Sequence, residues 1–237
     1  MDTNSALYWL PRIEHLAIPK TRFVAYDHAR WLEAAESDDE SYRAVIKATL
    51  AEIKAVAEEI GYPVFLRTDQ ASAKHRGPEG YLLRSEDDIL RVVWNTVEDN
   101  EMKLWMSPEQ PQAFMLREFI DLNAPFTAFG GHPIAREWRY FVKGCSVLCR
   151  HFYWPQGAIL FLSDAPINWK QDLRRLRMSM PRLAPDAISA ALSCSDHDFW
   201  SVDFAQDREG KYWLIDMAKG ENSWHPDCAF NPNPKKK

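Results

Sequence analysis

The clearest helical pattern in the sequence follows the acidic residues 36–40 and runs to residue 60. Apolar side chains recur there every three or four positions, which is typical of one buried face of an α-helix. Gly61 and Pro63 end the predicted helix, because glycine suits a left-handed terminus and proline cannot continue a helix. A second such pattern begins at Ser85. Its predicted buried positions are Ile89, Leu90, Val93, Trp94 and Val97.

Most of the other apolar runs have the length of strands and are separated by turn residues. The closing pair, Trp200–Ala205 and Tyr212–Met217, predicts a hairpin. A basic segment around residues 169–180 predicts a helix, and Pro185 suits the first turn of another. The remaining predicted strands lie at 63–68, 81–83, 114–120, 137–142 and 145–151, and residues 18–24 predict a turn that leads into one more short strand. This mixture of helices and antiparallel strands predicts an α+β protein in two lobes.

Composition narrows the class of protein. The chain has 237 residues, 46% of them hydrophobic and 13% aromatic, which is enough for a sizeable core. The net charge of -5 argues against a nucleic-acid binder, although the arginines between 174 and 182 form a local basic run. We find no apolar signal-peptide core, no membrane-span length and no C-x-x-C pair among the four cysteines. We therefore expect a cytoplasmic protein with reduced thiols and no membrane partner.

Two carboxylates in the closing hairpin are the first candidates for chemistry. Asp203 and Asp216 each lie within an apolar strand, where an unpaired charge is costly. If the turn centres after Arg208, Asp203 lies opposite Leu214, and Asp216 follows two residues along on the same face. A shared Mg²⁺ ion with phosphate oxygens would relieve their repulsion. The alternative is that each aspartate pairs with an arginine or caps a strand.

Three cations are candidates for binding phosphate. Arg67 ends a predicted strand and Lys74 lies in the polar stretch that follows it. Arg139 shares a strand face with Glu137, so it forms either a surface ion pair or a phosphate contact. The sequence contains neither G-x-x-x-x-G-K-[ST] nor G-x-G-x-x-G, which excludes the common P-loop and Rossmann nucleotide sites.

Four stretches, taken in order, resemble the ATP-grasp superfamily. They are 63–67 with Lys74, 115–120, 137–142, and 202–204 with 213–216. Within that superfamily the chain resembles the compact members, namely the eukaryotic cell-division-cycle assembly chaperones and small bacterial and phage ATP-grasp proteins. The resemblance implies a two-lobed fold of antiparallel sheets with flanking helices and a nucleotide in the cleft between the lobes. It also implies an N-terminal segment at 1–35, a small lobe at 36–113, a hinge and large lobe at 114–227, and a flexible tail at 228–237.

The resemblance further implies ATP and Mg²⁺ as cofactors and assigns roles to individual residues. Arg139 and Lys74 would be catalytic, and Asp203, Asp216 and Glu221 would bind the metal. Glu221 enters because Ala218 stands where many ATP-grasp proteins place asparagine, so Glu221 or Asn222 would take over. The residues that would bind the nucleotide are Arg67, Lys74, Arg117, Glu118, Phe119, Ile120 and Arg139.

The implied activity is that of an ATP-dependent carboxylate–amine ligase that acts through an acylphosphate. Its acceptor would be a small molecule, a peptide or a protein. Two alternatives stay open at this point. One is a nucleotide-binding assembly chaperone without ligase turnover, and the other is an enzyme that modifies a nucleic-acid end, against which the acidic charge argues.

Overall fold

A computed structural model describes residues 2–37, 40–70, 77–104, 110–162, 164–226 and 228–231. The chain forms two compact units. The larger unit combines residues 1–18 with 121–237, and the smaller unit is the continuous segment 19–120. Each unit mixes helices with antiparallel sheets, which confirms the predicted α+β class. The predicted lobe boundaries stay a prediction.

The secondary structure of the described residues is as follows. The helices are α1 (Ala6–Trp9), α2 (His28–Glu36), α3 (Glu40–Ile60), α4 (Pro78–Tyr81), α5 (Ile89–Leu104), α6 (Gln156–Leu162), α7 (Trp169–Arg177) and α8 (Ala184–Ser193). The strands are β1 (Thr21–Ala25), β2 (Val64–Thr68), β3 (Leu82–Leu83), β4 (Ala113–Glu118), β5 (Phe126–Ala128), β6 (His132–Ile134), β7 (Glu137–Lys143), β8 (Ser146–Phe152), β9 (Phe199–Gln206) and β10 (Tyr212–Lys219). Within the described ranges, no helix combines the length and apolar character that crossing a lipid bilayer requires.

The smaller unit is built on one antiparallel sheet with the strand order β1-β4-β2-β3. Side chains alternate between its two faces. One face is apolar and joins residues from α2, α3 and α5 in a single core, which includes Val24, Leu66, Leu116, Trp31 and Ile53. The opposite face carries charged side chains that are described with the site below.

Two features of the smaller unit bear on the sequence predictions. Helix α3 ends as predicted at Gly61, whose φ of 96° is the left-handed conformation that glycine tolerates. The prediction that Leu90 lies on the buried face of α5 is wrong, because Leu90 is 55% exposed. The buried face instead runs through Ile89, Val92 and Val93, so Leu90 lies outside the buried stripe.

The larger unit contains a four-stranded antiparallel sheet with the order β10-β9-β7-β8 and a separate β5-β6 hairpin. One face of the larger sheet is apolar, with Trp200, Val202 and Tyr140 fully buried, and α8 packs against β7 and β9. A second core joins the β5-β6 hairpin to α6 and α7 through residues such as Ile159 and Leu173. The short β5-β6 hairpin and α6 were not predicted.

The N-terminal segment of the chain belongs to the larger unit. Tyr8 stacks on Trp200 with ring centroids 6.3 Å apart. Backbone N–H groups of β10 donate to this segment, from Leu214 to the Ala17 carbonyl at 2.8 Å and from Lys219 to the Asn4 side chain at 2.9 Å. These bonds occupy donors of the outer strand β10.

We expect Leu66→Ala to destabilise the protein and the matched Leu90→Ala substitution to leave its stability nearly unchanged. Leu66 is fully buried, so its truncation leaves a cavity that costs about 2–5 kcal/mol. Leu90 is exposed, so its truncation should cost less than about 0.5 kcal/mol. Urea unfolding followed by circular dichroism measures both. Equal midpoints for the two variants would contradict the packing described for the apolar face.

Candidate functional site

Two aspartates face each other across the closing hairpin. Asp203 on β9 and Asp216 on β10 are direct partners in the antiparallel register. Direct partners point to the same face of a sheet, with Cβ atoms about 4.5–5.5 Å apart. Both carboxylates therefore lie on the face of the larger sheet opposite its apolar side.

The register predicted for this hairpin is wrong by one pairing. Leu214 pairs with Phe204 rather than with Asp203, and a bulge shifts the register between Leu214 and Asp216. The turn spans residues 207–211, and the Asp207 carboxylate accepts two backbone hydrogen bonds within it. A bulge inserts one extra residue and re-aims the side chains beyond it. Here it brings Asp216, which would otherwise pair with Val202, directly opposite Asp203.

Asp203 is held by a two-point ion pair with Arg139 on β7. Arg139 Nε donates to one carboxylate oxygen and Nη2 to the other, both at 2.7 Å. Both side chains are buried, with exposures of 11% for Arg139 and 3% for Asp203. Burial alone would lower the pKa of Arg139, but the charge and hydrogen bonds of Asp203 outweigh it and raise that pKa above its ordinary value. The guanidinium is therefore permanently charged.

The remaining guanidinium nitrogen of Arg139 is also engaged. Nη1 donates to the Trp224 carbonyl at 3.0 Å, and the guanidinium carbon lies 4.8 Å from the centre of the Tyr153 ring. The fork of Arg139 therefore has one orientation, fixed by a neighbouring strand on one side and by the chain after β10 on the other.

The other two predicted metal ligands have different surroundings. Asp216 is half-buried, and one of its carboxylate oxygens accepts the backbone N–H of Met217 at 3.2 Å. Glu221 lies in the short helical turn after β10, is exposed, and has its Oε2 3.1 Å from His197 Nε2. The structure thus brings Asp203, Asp216 and Arg139 together in one row, whereas the contact recorded for Glu221 is with His197.

The predicted nucleotide-binding residues of the smaller unit share one face of its sheet. Arg67 on β2 pairs with Met115 on β4, two residues before Arg117, so both arginines point away from the apolar core. Each is only 6% exposed. Arg67 Nε donates to the Thr68 carbonyl at 3.2 Å, and Arg117 Nε donates to a Thr21 hydroxyl at 3.2 Å. Lys74 falls outside the described residues.

The other predicted nucleotide-binding residues follow at the end of β4. Glu118 accepts the backbone N–H of Lys20 through Oε2 at 3.1 Å. Phe119 packs against a small cluster formed by Tyr81 and Leu82. Ile120 is half-buried and is the last residue of the smaller unit. The roles of these residues stay predictions.

A crossing segment, residues 223–226 and 228, runs over the charged face of the larger sheet. Its first residue hydrogen-bonds Ser201 on β9, and its second accepts the bond from Arg139 on β7. His225 then stacks on Phe141 with ring centroids 3.8 Å apart. The chain after the closing hairpin therefore returns across the row of charged residues, a course that the sequence did not predict.

Sequence reasoning missed a group of sulfur and nitrogen atoms where this segment reaches β8. Cys149, His151, His225 and Cys228 have ligand atoms that all lie within 4.8 Å of one another. The chain has no C-x-x-C pair, and the spacings that could have indicated the group are C-x-H at 149–151 and H-x-x-C at 225–228. Burial lowers the pKa of His225 to about 4, with the charges of His151 and Arg139 acting in the same direction.

The comparisons with known proteins agree with this fold. The family model for the ATP-grasp domain, R-2-K clade family 3, matches residues 54–232. No curated protein sequence matches significantly. The solved structure of C-terminally truncated Cdc123 from Schizosaccharomyces pombe is similar in fold, with a TM-score of 0.56, 14% identity, and coverage of 92% of this chain and 83% of that chain.

Two further solved structures are similar at lower scores. Carboxyaminoimidazole ribonucleotide synthase from Aspergillus clavatus, complexed with ATP, has a TM-score of 0.48 and 13% identity, covering 91% of this chain and 44% of that chain. The biotin carboxylase domain of 2-oxoglutarate carboxylase from Hydrogenobacter thermophilus, with MgADP, has a TM-score of 0.49 and 13% identity, covering 92% and 40%.

The fold and the family match together define this protein as an ATP-grasp domain, the class that the sequence motifs predicted. Within that class, the chain belongs to family 3 of the R-2-K clade. The predicted membership of the ATP-grasp superfamily and the predicted fold class are thereby confirmed.

We expect Arg139→Met and Asp203→Leu to be strongly destabilising alone and much less so together. Each single substitution leaves an unpaired buried charge, which costs about 3–5 kcal/mol. The double variant removes both charges and should recover most of that loss, apart from about 1 kcal/mol for the bond to the Trp224 carbonyl. Urea unfolding measures the free energy of unfolding of all three variants.

Arg208→Met is the matched control for this cycle. Arg208 pairs with Asp121 in the same unit, but both side chains are about two-thirds exposed. Its loss should cost less than about 1 kcal/mol. Additive losses in the Arg139 and Asp203 double variant would show that the two charges do not depend on each other.

Proposed function

We propose that this domain binds Mg-ATP and uses it to join a carboxylate to an amine. The observation that carries the proposal is the row formed by Asp216, Asp203 and Arg139 on adjacent strands of the larger sheet. Two carboxylates and a fixed guanidinium side by side are suited to a metal–phosphate group, since the carboxylates attract the cation and the arginine attracts phosphate oxygens.

The donor set of the row fits Mg²⁺. Arg139 neutralises the charge of Asp203. It donates one hydrogen bond to each Asp203 carboxylate oxygen, so each oxygen keeps a further lone pair for a metal ion. Asp216 adds a negative charge directly opposite. Mg²⁺ usually takes one or two carboxylates and completes its shell with water and phosphate oxygens. Asp203 and Asp216 would hold the ion, with Glu221 as a candidate third ligand, and the ion would neutralise phosphate charge.

The basic residues of the smaller unit would bind the remaining charge of the triphosphate. Arg67 and Arg117 lie on one sheet face and present rigid guanidinium groups. Lys74 would add a point charge. The residues that follow in β4 and beyond it, Glu118, Phe119 and Ile120, would contact the base of the nucleotide. This assignment is supported by the same-face placement of the two arginines.

The proposed reaction has two steps. A carboxylate oxygen of the acceptor attacks the γ-phosphorus, the bond to the β-phosphate oxygen breaks, and ADP leaves with the electron pair. The amine then attacks the acylphosphate carbonyl, phosphate leaves, and the amine loses a proton. Arg139 and Lys74 would stabilise the transferring phosphoryl group, so catalysis would rest on positioning and electrostatics.

Ala218 favours a second candidate function, which is nucleotide binding without ligase turnover. Many ATP-grasp proteins place asparagine two residues after the second acidic ligand, and alanine offers no ligand oxygen there. Ala218 is the direct partner of Ser201, and the Ser201 hydroxyl lies 3.3 Å from its carbonyl. A chaperone-like role would need ATP to stabilise one conformation and would not need hydrolysis.

Asp216→Ala should abolish Mg-dependent ATP binding while the fold stays intact, because the side chain is half-buried and its truncation leaves no enclosed cavity. Isothermal calorimetry with ATP, in Mg²⁺ and in EDTA, measures the effect. Asp198→Ala is the control, since Asp198 is 72% exposed and its ion pair with Lys143 is long at 3.9 Å. Binding by Asp216→Ala as tight as in the parent would remove the metal assignment.

Release of ADP separates the two candidate functions. If the domain is a ligase, Mg-ATP with a mixture of amino acids or peptides should yield ADP in amounts that exceed the amount of protein, and Arg139→Lys should reduce the rate because lysine cannot reproduce the two-point contact. Coupled enzymatic detection of ADP measures this turnover. Tight ATP binding with no ADP from any acceptor class would instead favour the binding function.

A further inference from the structure

Four side chains of the larger unit, Cys149, His151, His225 and Cys228, form what we call the Cys2His2 cluster. Two come from β8, two residues apart on the same face of the strand. The other two come from the crossing segment. The cluster therefore joins a strand to a part of the chain that is distant in sequence, on the face that carries Arg139.

The distances within the cluster are close to those of a metal site. His225 Nε2 lies 3.1 Å from Cys149 Sγ and 3.2 Å from Cys228 Sγ. Zinc–sulfur and zinc–nitrogen bonds of about 2.3 and 2.0–2.1 Å place the ligand atoms of a tetrahedron about 3.3–3.8 Å apart. All four ligand atoms here lie within 4.8 Å of one another, so shifts of about 1 Å or less would complete a tetrahedron.

Two imidazole nitrogens of the cluster have no hydrogen-bond partner among the described residues. His151 Nε2 and His225 Nδ1 are buried without a hydrogen-bond partner. The cysteines are free thiols rather than a disulfide. Buried imidazole nitrogens are normally hydrogen-bonded or bound to a metal, so the unpartnered His151 Nε2, in a group that contains two thiols, calls for a ligand.

We propose that the Cys2His2 cluster binds one Zn²⁺ ion as a structural site. Two sulfur and two nitrogen donors this close together select zinc over magnesium or calcium, which prefer oxygen. The protein supplies all four ligands, which is typical of a structural ion and not of a catalytic one with an open position. All four residues are half-buried, so the ion can enter from solvent.

The ion would fix the crossing segment over the charged face of the larger sheet. Asn231 already supports this course, since its side-chain amide donates to the His225 and Pro226 carbonyls at 3.2 Å. Trp224, which precedes His225, presents its carbonyl to Arg139. His151 is also the direct strand partner of Arg139. Zinc binding would therefore hold the Trp224 carbonyl against the guanidinium of Arg139, which also binds Asp203.

The first test is the zinc content of the full chain, purified without chelator and measured by mass spectrometry of the element. We expect one ion per chain. Cys228→Ser should reduce the content to below about one-tenth of an ion, because it removes one of four ligands. The matched control is Cys145→Ser, which changes an exposed thiol outside the cluster and should leave the zinc content unchanged.

A second measurement needs no variant and no nucleotide. Cobalt added to the metal-free chain should give the intense visible bands of a tetrahedral ion and the near-ultraviolet charge-transfer band of two thiolates, and zinc should remove both. An octahedral spectrum, or no cobalt binding, would overturn the proposal. So would a metal-free protein with a Cys149–Cys228 disulfide, or full zinc retention in Cys228→Ser.

Discussion

The ion pair between Arg139 and Asp203 is the interaction on which the rest of the larger unit depends. Two buried charges in the central strands β7 and β9 are tolerable only as a pair, because either one alone would be stranded away from water. The fork geometry also fixes where the guanidinium points. Asp216 on one side, and the Trp224 carbonyl beyond the hairpin, are arranged around that fixed group.

The two faces of the larger sheet differ in character, one being apolar and the other charged. One face is packed with aromatic and branched side chains and is covered by α8, which secures the fold. The other face carries a row from Asp216 through Asp203 and Arg139 to His151, one residue from each strand. Alternation along four strands is what allows a charged row to run beside an apolar core without interrupting it.

Periodicity was sufficient for the elements with strong patterns. Helix α3 and its end at Gly61 follow from apolar spacing and the needs of a left-handed terminus, and the closing hairpin follows from two apolar runs. The pairing of Asp203 was not predictable, because it depends on hydrogen bonds that Asp207 makes inside the turn and on a bulge. The Cys2His2 cluster was missed because its halves are distant in sequence.

The path of the chain between the two units has a practical consequence. The chain enters the smaller unit through β1 and leaves it through β4, which are neighbours in one sheet, and Glu118 N–H donates to the Lys20 carbonyl at 2.8 Å. Its entry and exit are therefore adjacent. Adjoining ends of this kind allow one compact unit to be inserted into the chain of another without separating the two halves of the host.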